Sequence, residues 1–287
     1  MKIGILLCGN RDLDSDELST LTTLKLDLCS RMPEFITHLS WLESLDNNIQ
    51  TGINHLLKLG LEHIIILPVM LVMSASKKEK IEEIMGSFFF NYSPNNIKLE
   101  LASITEVDSN ILLAAEKSIL EAESTAINAA SRDQSTLILI GEGSDEPRIN
   151  ANAYKMCRMI WEGMGFAWGE ACYLEDASPN LRSSLRRVSQ IGYKRAIIFP
   201  YFLYGGSYFS MIHEEIKIKR EGPIDIDYII AKPINAYREV VNSLERRIKE
   251  IIRHNGNMNC MECGYREQVL EEAIEKSENE KHDHLPH

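Results

Sequence analysis

Two kinds of hydrophobic pattern alternate along the chain. Unbroken apolar runs stand at 3–7, 64–72, 137–140 and 196–204. Between them lie longer segments whose apolar residues recur every three or four positions, at about 17–32, 49–59, 109–122, 152–164, 180–191 and 237–253. The first pattern predicts strands buried on both faces, as in parallel sheets, and the second predicts amphipathic helices packed on them. Runs at 37–42, 98–104, 167–174 and 226–231 add strands, and 77–85 and 213–219 add helices. Strand and helix alternating in this order specify βαβ units.

The pattern occurs twice. At a constant offset of 132 residues Gly9 meets Gly141, Trp41-Leu42-Glu43 meets Tyr173-Leu174-Glu175, Gly60 meets Gly192, and Pro68 meets Pro200. Separated elements sharing one offset mark an internal duplication. The expected fold is two tandem three-layer α/β/α domains with mostly parallel sheets, over 1–125 and 132–255, followed by a segment of different character at 256–287. In open parallel sheets ligands sit beyond the carboxyl ends of the strands. That rule selects Asn10, Arg11, Glu43 and Ser74 to Lys78 in the first half, and Glu142 to Ser144, Glu175 and Gly205 to Tyr208 in the second. A dinucleotide-binding fingerprint is absent from these turns.

Composition narrows the function. The 287 residues are 44% apolar and 25% charged, an ordinary globular balance. Lys and Arg number 31 against 42 Asp and Glu, a net charge of −11. That argues against a general nucleic-acid binder or an anionic-membrane binder, both of which need a basic face. A local basic pocket remains compatible with it. The longest apolar run, Ile64 to Met73, contains Pro68 and is about half the length a membrane-spanning helix needs. The N-terminal run is too short for a secretion signal and meets Arg11, Asp12 and Asp14, so a cytoplasmic location is expected.

The six cysteines fall into two groups. Cys8, Cys29, Cys157 and Cys172 lie in or beside apolar segments and read as buried, reduced thiols. Cys260 and Cys263 form a CxxC beyond the last predicted helix. A redox dithiol usually opens a helix after a strand, so this position favours a soft metal or a cluster. Two thiols are half of a four-ligand site. The other ligands would come from His282, His284 and His287, from elsewhere in the chain, or from a second subunit, which would make a homodimer.

The paired α/β halves, FPYFLYGG at 199–206, MCRMIWEGMGFAWGE at 156–170, and MNCMEC at 258–263 before a His-bearing tail together resemble the long form of the sirohydrochlorin cobaltochelatases. These are class II chelatases of cobalamin biosynthesis. The resemblance implies ATP-independent insertion of a divalent metal, cobalt as the substrate metal, into a tetrapyrrole, and an iron–sulfur cluster at Cys260 and Cys263. Members usually carry one histidine in a GHGS-type turn after the first strand and another beyond the third. Here those positions hold Asn10 and Ser76, and their second-half counterparts are Glu142 and Tyr208, so the usual histidines are replaced. The catalytic set implied is Glu43 as base or metal guide with Asn10 and Ser76, and Arg11, Lys77 and Lys78 would bind the substrate's carboxylates. Asn10 can orient a ring or ligate weakly but is no base at neutral pH. His38, His55, His63, His213 and His254 read as structural or solvated. The replaced histidines keep a second reading open, a chelatase homologue that binds or carries a tetrapyrrole or a metal ion.

Overall fold

The computed structural model describes residues 2–11, 15–91, 97–204, 206–221 and 226–253. The first half runs β1 (Ile3–Arg11), α1 (Ser15–Arg31), β2 (Ile36–Glu43), α2 (Ile49–Lys58), β3 (His63–Pro68), α3 (Ala75–Asn91), β4 (Lys98–Leu101) and α4 (Ser109–Ser124). The second repeats the order with β5 (Ser135–Gly141), α5 (Pro147–Met164), β6 (Trp168–Tyr173), α6 (Leu181–Ile191), β7 (Arg195–Pro200), α7 (Gly206–Arg220), β8 (Asp227–Ile230) and α8 (Arg238–Ile252). Each half builds one four-stranded sheet, ordered β2-β1-β3-β4 and β6-β5-β7-β8, with every pair parallel.

The duplication holds at the level of single contacts. Pro68 ends β3 and Pro200 ends β7. Asn48 caps α2 by accepting from Thr51 N, and Asn180 caps α6 by accepting from Ser183 N. Both caps also bridge back to the second strand of their half, at Trp41 and Tyr173.

Strand pleating sorts the core. Leu6, Cys8, Ile64 and Ile66 face α2 and α3, while Ile5, Leu7, Ile65 and Leu67 face the opposite way. The outer face of the second sheet is likewise covered by α6 and α7. Both inner faces share one core, built with α1, α8, α4 and α5 between the sheets. The last helices are exchanged: α4 packs against β7 and β8, and α8 packs against β3. Each sheet is therefore closed by a helix from the other half.

Several boundaries differ from the sequence pattern, and five of them have a physical reason. β1 runs to Arg11 rather than Leu7, because β2 continues beside it as far as the Arg11–Glu43 pair. β3 and β7 stop at their prolines, since the apolar residues beyond them are buried in connections, and a buried connection is as apolar as a strand. α3 and α7 begin earlier than expected, at Ala75 and Gly206, where carboxylates from the opposite half cap them.

Candidate active site between the two halves

The connections at the strand carboxyl ends meet across the molecule. Glu146, just before α5, accepts the Ala75 N–H at 2.9 and 3.2 Å and so caps α3. Asp16, in the first turn of α1, accepts the Gly206 N–H at 2.7 Å and caps α7. Each half thus supplies an anion to the positive end of a helix in the other. The Tyr204 hydroxyl donates to the Val69 carbonyl at 2.5 Å between the same connections. The strand-end connections of the two halves thus meet at one mouth.

Asn10 and Arg11 end β1 as strand residues, and Arg11 is in register with Glu43 at the end of β2. Glu43 is exposed. The Asn10 N–H donates to a Glu17 carboxylate oxygen, and the Asn10 Oδ1 is buried with no hydrogen-bond partner among the described residues. Ser76, Lys77 and Lys78 occupy the first turn of α3, the helix that follows the neighbouring strand β3. The Ser76 hydroxyl lies 3.0 Å from that of Ser74. Lys77 stands close enough to Glu142 to favour its ionised form, whereas Lys78 pairs with Glu82 at 3.5 Å. The structure therefore gathers Asn10, Arg11 and Glu43 at one sheet edge. Lys77 lies near Glu142 of the second half, while Lys78 lines an adjoining cleft.

The second half presents acids at the equivalent places. Burial raises the Glu142 carboxyl above the ordinary carboxylate range; Lys77 opposes the shift and Glu175 adds to it. The Tyr208 hydroxyl donates to Glu175 Oε2 at 2.9 Å. Gly143 holds the turn between them at φ +103°, and a Cβ there would overlap the Glu175 carbonyl oxygen.

Sequence reasoning missed Glu17. It is buried beside Leu21, Leu24 and Leu28 on the inward face of α1, and its spacing within that apolar stripe was the available signal. Burial, followed by the charge of Glu17, pushes the Cys8 thiol up to about 12 and raises the Tyr204 hydroxyl well above its ordinary value. Burial likewise lifts the Cys157 thiol to about 12. Cys8, Cys157 and Cys172 are buried free thiols, and Cys29 is half-buried. His38, near the start of β2, stacks on His55 of α2 at 4.4 Å. His63 opens β3 and meets Glu100 at 2.5 Å, and His213 packs edge-on to Phe209 within α7. Among the described residues no group of three or more His, Cys, Asp or Glu side chains is placed to hold a metal ion. Cys260, Cys263, His254, His282, His284 and His287 lie outside the described residues.

Two parallel α/β lobes, with titratable groups where their strand-end connections meet, define a two-lobed α/β protein. The CbiX family model matches residues 4–122 and 136–251, one match in each half, and the chain belongs to the CbiX family. It is 23% identical over 269 residues to the sirohydrochlorin cobaltochelatase of Priestia megaterium, covering 92% of this chain and 84% of that one. It is 24% identical to the sirohydrochlorin ferrochelatase of the same organism, covering 77% and 80% of the two chains. In fold it resembles SirB from Bacillus subtilis with Fe3+, with a TM-score of 0.75 and 21% identity, over 87% of this chain and 95% of that one. SirB from Bacillus subtilis subspecies spizizenii in complex with cobalt gives 0.67 and 20% over the same shares. No helix among the described residues is long and apolar enough to cross a membrane.

Proposed function

We propose that the protein inserts a divalent metal ion, cobalt foremost, into sirohydrochlorin, without ATP, in the cytoplasm as part of cobalamin biosynthesis. The observation that most supports this is the joined mouth: both CbiX-matched halves turn their strand ends toward one site. Relatives named for cobalt and iron insertion into the same tetrapyrrole agree with it.

Insertion requires a metal ion to shed water while two pyrrole N–H protons leave. Glu43 is exposed at the end of β2, so its carboxylate meets the hydrated cation and accepts the two leaving protons in turn, passing each to solvent water. Asn10 lies one register position from the Arg11–Glu43 pair, and its unpartnered amide oxygen orients the incoming ion or a ring. The Ser76 hydroxyl adds a donor at the first turn of α3. Arg11, Lys77 and Lys78 supply positive charge for the substrate's carboxylates. Exchanging Glu43 for Gln keeps the shape and removes the base. Glu43→Gln is expected to lower kcat about a hundredfold while leaving KM nearly unchanged. A kcat equal to wild type would remove Glu43 from the chemistry.

The carrier reading is favoured by one observation, that Asn10, Ser76, Glu142 and Tyr208 occupy the positions where a histidine would ligate the metal. It is distinguished by tetrapyrrole binding without insertion. At the C-terminus, Cys260 and Cys263 supply two thiolates suited to an iron–sulfur cluster, completed by tail histidines or by a second copy in a homodimer. The buried thiols of Cys8, Cys157 and Cys172 are poor donors for it. Anaerobic purification with iron and sulfide analysis checks this: bound iron and sulfide in wild type should vanish in the double Cys→Ser variant. A colourless wild type free of both would contradict it.

A further inference from the structure

The duplication creates two equivalent seams between the halves, and they have diverged. One seam, between α3, the β4–α4 connection, α5 and α8, encloses a cleft of about 550 Å³. Lys78, Arg148, Lys155 and Arg247 line it. Arg148, Asn152 and Lys155 are spaced i, i+4 and i+7 on α5 and share one face of that helix. Neither Arg148 nor Lys155 has a hydrogen-bond or ion-pair partner among the described residues. Arg247 is buried; it reaches Glu250 at 2.9 Å and Asp108 at 3.3 Å, yet its Nε–H has no acceptor there. Two carboxylates share the wall, Glu106 and the Glu82 already paired with Lys78. The amino ends of α3 and α5 also abut here through the Ala75–Glu146 bond, where the Glu146 carboxylate offsets the positive end of α3.

The other seam is built differently. At the offset of 132 residues, Arg148, Asn152 and Lys155 correspond to Asp16, Thr20 and Thr23, and Lys78 corresponds to Ser210. There the Asn235 amide donates to the Thr20 hydroxyl at 3.0 Å and bridges the seam. Where the open seam carries Arg148, Lys155 and Lys78, the bridged seam carries Asp16, Thr23 and Ser210 and no cation at these positions.

We infer that the open seam is an anion-binding cleft that seats carboxylate side chains of the tetrapyrrole, with Arg148 and Lys155 as anchors on one wall and Lys78 on the other. This rests on the chelatase function proposed above. The cleft adjoins the mouth, since Lys77 faces Glu142 while the next residue lines the cleft. A macrocycle over the strand ends therefore has one edge beside unpaired cations, where charge-assisted hydrogen bonds form.

The test is a fluorescence titration of the full chain with metal-free sirohydrochlorin and, separately, with its methyl ester. Wild type is compared with the Arg148→Gln/Lys155→Gln and Arg148→Glu/Lys155→Glu double variants, and with Thr23→Ala as the mirror-position control. The free acid should bind about tenfold more weakly to the Gln pair, and more weakly still to the Glu pair. The ester should bind all four proteins alike, Thr23→Ala should match wild type, and KM for insertion should rise in both double variants with kcat unchanged. Unchanged affinity for the acid in both double variants would overturn the cleft and leave the chelatase function standing. Equal losses for acid and ester would also overturn it, because the residues would then act through packing. A wild type that binds neither compound would overturn the chelatase function itself.

Discussion

Glu43 ends β2 in the first half and Glu142 follows β5 in the second, and the surroundings of these two strand-end carboxylates differ. Glu43 is exposed, whereas Glu142 is held in a site where burial raises its carboxyl above the ordinary range. A carboxyl raised on folding binds its proton more tightly in the folded state, so it costs stability as pH rises from the ordinary carboxylate range through the raised value. Glu142→Gln removes that cost. Denaturant unfolding should show variant and wild type alike in acid, below the unfolded pKa, and the variant more stable at neutral pH. A variant less stable at neutral pH would mean that attraction from Lys77 outweighs burial. At this scale the sequence marked Asn10, Arg11, Glu43 and Lys77 through the strand-end rule, which depends only on where strands stop. It did not mark Glu17, because a carboxylate on a helix reads as solvated until its spacing with Leu21, Leu24 and Leu28 is weighed. Nor could it mark Glu146 and Asp16 as caps, since each serves a helix in the other half.

Secondary elements followed the hydrophobic period closely, and the departures concern their ends. The apolar residues after Pro68 and Pro200 are buried without continuing the ladder, which periodicity cannot distinguish from strand. The contact between α4 and α8 carries the most charge. Asp108 caps α4 through the N–H groups of Asn110 and Ile111, and its other oxygen meets Ser243 at 3.0 Å and Arg247 at 3.3 Å on α8. Both members of the Asp108–Arg247 pair are buried. Asp108→Asn keeps a good cap but leaves a buried guanidinium short of its charge partner, which commonly costs about 3 kcal/mol or more. Urea unfolding checks this; a loss below about 0.5 kcal/mol, ordinary for an exposed site, would show that Glu250 alone satisfies Arg247.

At the scale of the whole molecule, duplication was legible because one offset governs single residues from Gly9–Gly141 to Pro68–Pro200. The exchange of α4 and α8 was not, because an amphipathic pattern states that a helix has a buried face without stating which sheet it covers. That exchange ties the halves through one shared core. The two seams show how a duplicated scaffold becomes asymmetric: one copy is bridged by Asn235 and Thr20, and the other keeps unpaired cations around an open cleft. On the proposed function this mouth inserts metal with Asn10, Ser76, Glu142 and Tyr208 at the positions where the family resemblance implies a histidine. The most direct measurement is the anaerobic absorbance change of sirohydrochlorin with cobalt(II), recorded with and without the full-length protein and without ATP. Insertion is expected well above the uncatalysed rate, in proportion to protein concentration. Tight tetrapyrrole binding with no insertion above the uncatalysed rate would contradict it and leave the protein a carrier.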